Sequence, residues 1–265
     1  MKKVFSFLIV IAFVYACKEV AVTGRRQLSF IGDGELNKMS FAQYDQVKAE
    51  SKVLPDDDDR VLMIRRVGNK IAEAVSVYFD KNNMSNRKSE FAWEFNVIDE
   101  NTVNAWCMPG GKVAFYTGIL PITQDELGVA VVMGHEVAHA IARHGNERMS
   151  QGLLANGIMA GASILALLSD KPQLTKDLFL ASFGASAQLG MLAFSRKHES
   201  EADHMGIIFM AMAGYDPEAA VGFWQRMSAG GGQKPPEFLS THPSDQRRID
   251  DIKRLLPEAK KYYKP

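Results

Sequence analysis

The segment His135-Glu136-Val137-Ala138-His139 carries the strongest chemical signal in the sequence. On a helix, residues four apart share a face, so both imidazoles can reach one ion. Zinc accepts neutral imidazole nitrogens and in catalytic sites leaves one of four positions to water. Glu136, one residue past the first histidine, can touch that water without taking a ligand position. A bound cation lowers the pKa of water toward ~7, and the carboxylate can take the proton as the water attacks a carbonyl. Only 6 histidines occur in 265 residues, so the pattern is unexpected by chance. Val131, Val132, Val137 and Ala138 make the surroundings apolar. Burying two histidines and a glutamate there is costly unless they are paired or metallated.

A third ligand must come from elsewhere. The candidates are Glu199, Glu201, Asp203, His198, His204 and His144. Glu199 and Asp203 are four apart and share a helical face. One of them can ligate while the other holds the free N–H of a ligand histidine. Glu201 points away from that face and is expected in solvent. His198 and His204 lie off the face and read as ordinary polar residues. His144 follows His139 by five positions, which on a continuous helix turns it about 500° and away from the pair.

The flanking elements must position these groups. Thr123-Gln124-Asp125-Glu126 has the form of a capping box, and predicts a helix from there to around Arg148. Ahead of it, Phe91 to Val97 alternates as a strand, Asn104 to Met108 forms a second, and Lys112 to Thr117 returns after the turn Pro109-Gly110-Gly111. A small antiparallel sheet follows from this. Val61, Ile64, Val67, Ile71, Val75 and Tyr78 recur at helical spacing. The acids Asp56 to Asp59 precede them and favour the positive end of the helix dipole. The uncharged stretch Gly152 to Leu168 and the apolar Leu178 to Phe194 suggest a helical hairpin packed over the site, with a membrane-dipping segment as the alternative. Gly230 to Gly232 and Pro235-Pro236 read as a flexible connection. Ser244 to Leu256 reads as a final helix with Ser244 at its cap.

A net charge of zero argues against nucleic acid as the main partner. Met1-Lys2-Lys3 followed by apolar Val4 to Ala16 reads as a signal peptide, too short to span a bilayer comfortably. Val14-Tyr15-Ala16-Cys17 resembles a bacterial lipobox, which implies acylation of Cys17. The expected organisation is a signal peptide over 1–16, a lipid-anchored tether with N-terminal helices over 17–55, and one catalytic domain over 56–265. Cys107 reads as a packed small hydrophobe rather than a nucleophile.

His135 to His139, followed by Glu199-Ser200-Glu201-Ala202-Asp203, resembles the zinc metallopeptidase family that includes the CAAX prenyl protease and HtpX. Thr23-Gly24-Arg25-Arg26-Gln27-Leu28 is similar to the opening of its bacterial lipoprotein and mitochondrial quality-control branch. Asn104-Ala105-Trp106-Cys107-Met108-Pro109-Gly110-Gly111 and Thr241-His242-Pro243 resemble two further family elements. The resemblance implies an α+β, mostly helical zincin fold with a small sheet. It implies one Zn2+ held by His135, His139 and Glu199, with Glu136 as base and Asp203 supporting a ligand histidine. Residues Asn104, Ala105, Trp106, Cys107 and Met108 would be an edge strand that pairs with an extended substrate. His242 would stabilise the oxyanion, or close the fourth zinc position and keep the enzyme latent. Between two arginines that can add charge there, Arg247 is favoured over Arg248. The resulting expectation is a zinc endopeptidase of the bacterial cell envelope, anchored to the outer membrane and degrading unfolded or misassembled proteins. A metal-dependent chaperone that binds without cutting is the competing reading.

Overall fold

The computed structural model describes residues 17–155, 177–179, 182, 195–229, 238–239, 242 and 246–264. Its first elements are the paired strands β1 (Cys17–Glu19) and β2 (Arg26–Leu28), then helix α1 (Asp33–Glu50). Residues 17–55, read above as a tether with helices, are thus packed structure. Tyr44 is buried and donates its hydroxyl to the Val113 carbonyl at 2.8 Å. Cys17 pairs through its backbone with Leu28. The signal peptide at 1–16 lies outside the described residues.

Helix α2 (Asp59–Lys81) follows the predicted stripe, with Val61, Ile64, Val67, Ile71 and Val75 all buried. Asp58 is its cap and accepts the Arg60 N–H. Three strands form the main sheet: β3 (Glu94–Ile98), β4 (Ala105–Met108) and β5 (Lys112–Tyr116). Their order is β3-β5-β4. The antiparallel expectation holds for β4 and β5, whereas β3 and β5 run parallel. The turn at Gly110 and Gly111 returns the chain between β3 and β4, so β5 is central and β4 lies at the edge. Both glycines have positive φ, and a Cβ on Gly111 would come within 2.5 Å of the Trp93 ring.

Thr123 is not the cap of the metal-motif helix. It ends the short helix α3 (Leu120–Thr123), and its hydroxyl donates to the Leu120 carbonyl. Helix α4 (Glu126–Ile141) is capped by Asp125, which accepts the Gly128 N–H at 3.0 Å. Nearly every residue of α4 is buried, so it is the central helix of the domain. It stops at Ile141 rather than near Arg148. Arg143 adopts φ +58, and a new helix, α5 (His144–Ala155), sets off from there. The left-handed backbone is held by the Arg143 guanidinium, which pairs with Asp33 at 2.8 Å and Glu90 at 2.9 Å.

Helix α6 (Arg196–Met212) crosses α4 and is followed by α7 (Ala219–Ala229) and α8 (Gln246–Ala259). The α4–α6 crossing is made by two glycines. A Cβ on Gly134 would lie 2.7 Å from the Gly206 carbonyl oxygen, and one on Gly206 would lie 2.9 Å from Gly134 C. That approach sets His135 beside the first half of α6. Among the described residues, no helix is long and apolar enough to cross a membrane. Most of the expected hairpin over 152–194, the Gly230–Gly232 connection and the Ser244 cap lie outside the described residues.

Candidate metal centre

His135 and His139 lie on one face of α4, as their spacing requires. Ser195 caps α6 by accepting the His198 N–H, so Glu199 sits in the first turn of that helix. All three side chains are buried. His135 Nε2 and His139 Nε2 are 3.1 Å apart. Glu199 Oε2 lies 3.4 Å from the first and Glu199 Oε1 lies 3.4 Å from the second. Zinc bonds of ~2.0–2.1 Å in a tetrahedron place neighbouring ligand atoms about 3.3 Å apart, so the donor set has the size zinc needs.

The protonation pattern fits a cation as well. Asp203 Oδ1 is 2.9 Å from His135 Nδ1 and accepts a hydrogen bond from its N–H, which leaves the Nε2 lone pair toward the other donors. Burial would raise the Glu199 pKa, but His242 and Arg248 hold it well below the usual carboxylate range. Burial pushes His139 well below the ordinary imidazole value, so it is neutral. His135 is opposed by burial but raised to about 9 by Asp203 and Glu199, so a proton competes with a cation for it.

Glu136 behaves differently from Glu199. Burial raises its pKa, and its Oε1 has no hydrogen-bond partner among the described residues. His242 Nε2 is 3.5 Å from that oxygen. On its other side, His242 Nδ1 is 3.1 Å from His135 Nε2 and 3.0 Å from Glu199 Oε1. His135, His139, Glu199 and His242 therefore make a four-donor cluster that can hold one metal ion. A cavity opens on Glu136, His139 and His242 and is walled by Asn104, Ala105, Trp106 and Cys107. Met108 is fully buried and lies outside this wall. Cys107 is a buried thiol whose pKa is pushed up by burial and by Glu136.

Four residues around the centre depart from the sequence-based expectation. Arg247 is largely exposed and faces Asp251. Arg248 is the buried one: it donates to both Asp203 oxygens at 2.7 and 2.8 Å and covers the Trp224 ring at 3.4 Å. Its Nη1 also lies 2.8 Å from Glu199 Oε2, though not aligned as a hydrogen bond. Two adjacent arginines differ only in which face of α8 they occupy, and the start of α8 fixes that. Glu201 is buried rather than solvated, because the β1–β2 segment covers that side of α6 and supplies Thr23 and Arg25 as donors. His144 is buried against His139, with their Nδ1 atoms 2.9 Å apart. The rotation argument that turned it away fails because α4 ends before it. His198 is buried on Glu147 and His204 contacts Glu258, so neither is a donor in the cluster.

Comparison with known proteins bears on the same residues. The sequence pattern described as Peptidase family M48 matches residues 65–256. The mitochondrial metalloendopeptidase OMA1 of Schizosaccharomyces pombe is 37% identical over 244 residues, covering 91% of this chain and 66% of that protein. The human OMA1 metalloendopeptidase is 31% identical over 265 residues, covering 96% and 49%. The beta-barrel assembly-enhancing protease of Escherichia coli is 30% identical over 168 residues, covering 61% and 34%. The chain spans less than two thirds of the length of these relatives. The expectation of a lipid-anchored protein on a bacterial outer membrane is overturned, since the relatives that match over nine tenths of the chain are mitochondrial. It rested on a four-residue lipobox-like pattern, which an apolar leader can contain by coincidence. The match runs from the middle of α2 into α8 and takes in every donor of the buried cluster, so the chain belongs to peptidase family M48, whose metalloproteases use zinc.

Proposed function

We propose that the chain is a zinc-dependent endopeptidase in which His135, His139 and Glu199 hold the ion and Glu136 is the general base. The observation that carries this reading is the convergence of three donor side chains from α4 and α6, whose two imidazole Nε2 atoms and two Glu199 oxygens approach one another at 3.1–3.4 Å, with a buried Glu136 oxygen beside them that has no hydrogen-bond partner among the described residues. When bound, zinc supplies Lewis acidity to water and to the scissile carbonyl. Glu136 accepts the proton of the attacking water and returns it to the leaving amine. Its raised pKa suits both duties better than an ordinary carboxylate would. Asp203 holds His135 by its Nδ1–H, and Arg248 neutralises and fixes Asp203.

The substrate class is an extended polypeptide. Strand β4 is at the sheet edge, with no strand paired on its other side among the described residues. The Tyr116 N–H donates to the Asn104 carbonyl at 3.0 Å, so by alternation the backbone groups of Ala105 and Cys107 face outward. Backbone pairing there accepts many sequences, which suits unfolded or misassembled proteins. The assembly-enhancing role in one relative's name supports the same substrate class. A targeting role for residues 1–16 rests on their charge and apolar pattern alone. Cleavage of an unfolded model protein should stop with a chelator and return with zinc. A zinc-loaded chain that binds that substrate but leaves it whole would instead favour a chaperone-like binder.

The position of His242 favours a second feature of this reading. Its Nδ1 sits among the three donors, where it would take the fourth corner and exclude water. In that state cleavage is held down to a basal level. His242→Ala should then raise basal cleavage several-fold, whereas an oxyanion role predicts a loss of ~10²–10³-fold.

A further inference from the structure

His139 has a second partner shell that no metal motif specifies. Its Nδ1 lies 2.9 Å from His144 Nδ1, and His144 Nε2 lies 2.9 Å from Glu201 Oε2. Arg25 donates from Nε to the same Glu201 oxygen at 2.8 Å, and Thr23 donates to the other. Arg25 is itself anchored by Glu147, which accepts from both terminal nitrogens at 2.9 and 2.6 Å. His144, Glu201 and Glu147 are all buried.

The proton positions follow from what each group can do. A carboxylate that receives Arg25 and Thr23 only accepts, so the proton between His144 and Glu201 is on His144 Nε2. Neutral His144 then has an acceptor at Nδ1, and His139 must donate its Nδ1–H to it. That leaves the lone pair of His139 on Nε2, aimed at His135 and Glu199. The mirror arrangement would put the proton on His139 Nε2 and block ligation.

We infer that His144, Glu201 and Arg25 form a positioning relay that fixes the tautomer and ring orientation of His139, making the docked β1–β2 segment a determinant of metal retention. This rests on the zinc reading above. His135 is served by Asp203 and Arg248 from α6 and α8, within the catalytic domain. His139 is served by His144 and Glu201 from α5 and α6, and Glu201 in turn by Thr23 and Arg25 of the N-terminal segment, which precedes the first residue matched by the family pattern. Displacing that segment removes Thr23 and Arg25 from Glu201 and loosens one ligand, while the other two keep their partners.

The test is zinc affinity of the full chain by chelator competition, with folding of the metal-free protein checked by circular dichroism. His144→Asn keeps an acceptor near Nδ1 but loses the ring. His144→Phe keeps the ring, which stacks on His198 at 4.4 Å, but loses the acceptor. The relay predicts a ~10–100-fold loss of zinc affinity in His144→Phe and a much smaller loss in His144→Asn. Arg25→Gln should weaken affinity in the same direction. A purely structural role predicts the opposite order, with His144→Phe the better variant, and that order would overturn the inference. So would wild-type affinity in a folded His144→Phe. Should neither His144 variant fold, nitrogen NMR of the zinc-loaded wild type decides: ligation through His139 Nε2 with a protonated Nδ1 supports the relay, and ligation through Nδ1 refutes it. Absence of zinc binding by the wild type would remove the metal reading itself, and the relay with it.

Discussion

Glu136 and Glu199 are both buried carboxylates within reach of His242, yet they are driven in opposite directions. Burial dominates at Glu136 and raises its pKa, whereas His242 and Arg248 overcome burial at Glu199 and keep it ionised. Pairs of carboxylates pushed apart in this way divide into proton carrier and charge partner. Glu199→Gln should therefore abolish stoichiometric zinc binding, as measured by metal analysis after dialysis. Arg248 shows what a sequence leaves unsaid. Nothing in Arg247-Arg248 tells which guanidinium turns inward, and a one-residue difference in the phase of α8 decides it. Because Arg248 is buried on Asp203, removing it strands a buried carboxylate. Arg248→Met should cost about 3–5 kcal/mol in denaturant unfolding. An unchanged midpoint would mean that the Asp203–Arg248 pair contributes little to the fold.

At the scale of elements, the histidine pair was legible because a spacing of four on a helix is a local fact. The meeting of α4 with α6 was not, because it depends on two glycines separated by dozens of residues. Gly206→Ala would drive a methyl into the α4 backbone at Gly134 and force the helices apart. The expected cost is about 1–3 kcal/mol, and zinc affinity should fall with it, because His135 moves from Asp203. Wild-type zinc affinity in this variant would show that the close crossing does not set the centre. The end of α4 was misread for a different reason. His144 and Glu147 continue the polar pattern of a helix, so the break at Arg143 leaves no mark in composition. Only the Arg143 pairs with Asp33 and Glu90 explain why a non-glycine residue holds positive φ there. The sheet was legible as three strands with a turn, but strand order is a long-range choice, and the parallel β3–β5 pairing followed from it.

For the whole molecule, the residues before α2 change the picture most. They read as a tether because they lack a long apolar period, yet Val20, Ile31 and Leu36 are buried in the core and Arg25, Asp33 and Tyr44 add polar contacts to the rest of the fold. Polar attachment makes the docking pH-dependent. Burial would raise the Glu147 pKa, but His198 and Arg25 lower it to about 2. A carboxylate lowered on folding stabilises above its unfolded pKa of ~4.3, and that contribution is lost as pH falls toward 2. The gap in melting temperature between wild type and Glu147→Gln should be wide at pH 7 and narrow by pH 3. A gap that stays constant over that range would contradict the assignment.

The central claim is that this buried centre cleaves peptide bonds with Glu136 as its base. The direct test compares wild type with Glu136→Gln on an unfolded model protein, with zinc content measured in both. The account predicts one zinc per chain in each and cleavage by the wild type alone. Equal cleavage by a zinc-loaded Glu136→Gln would contradict it.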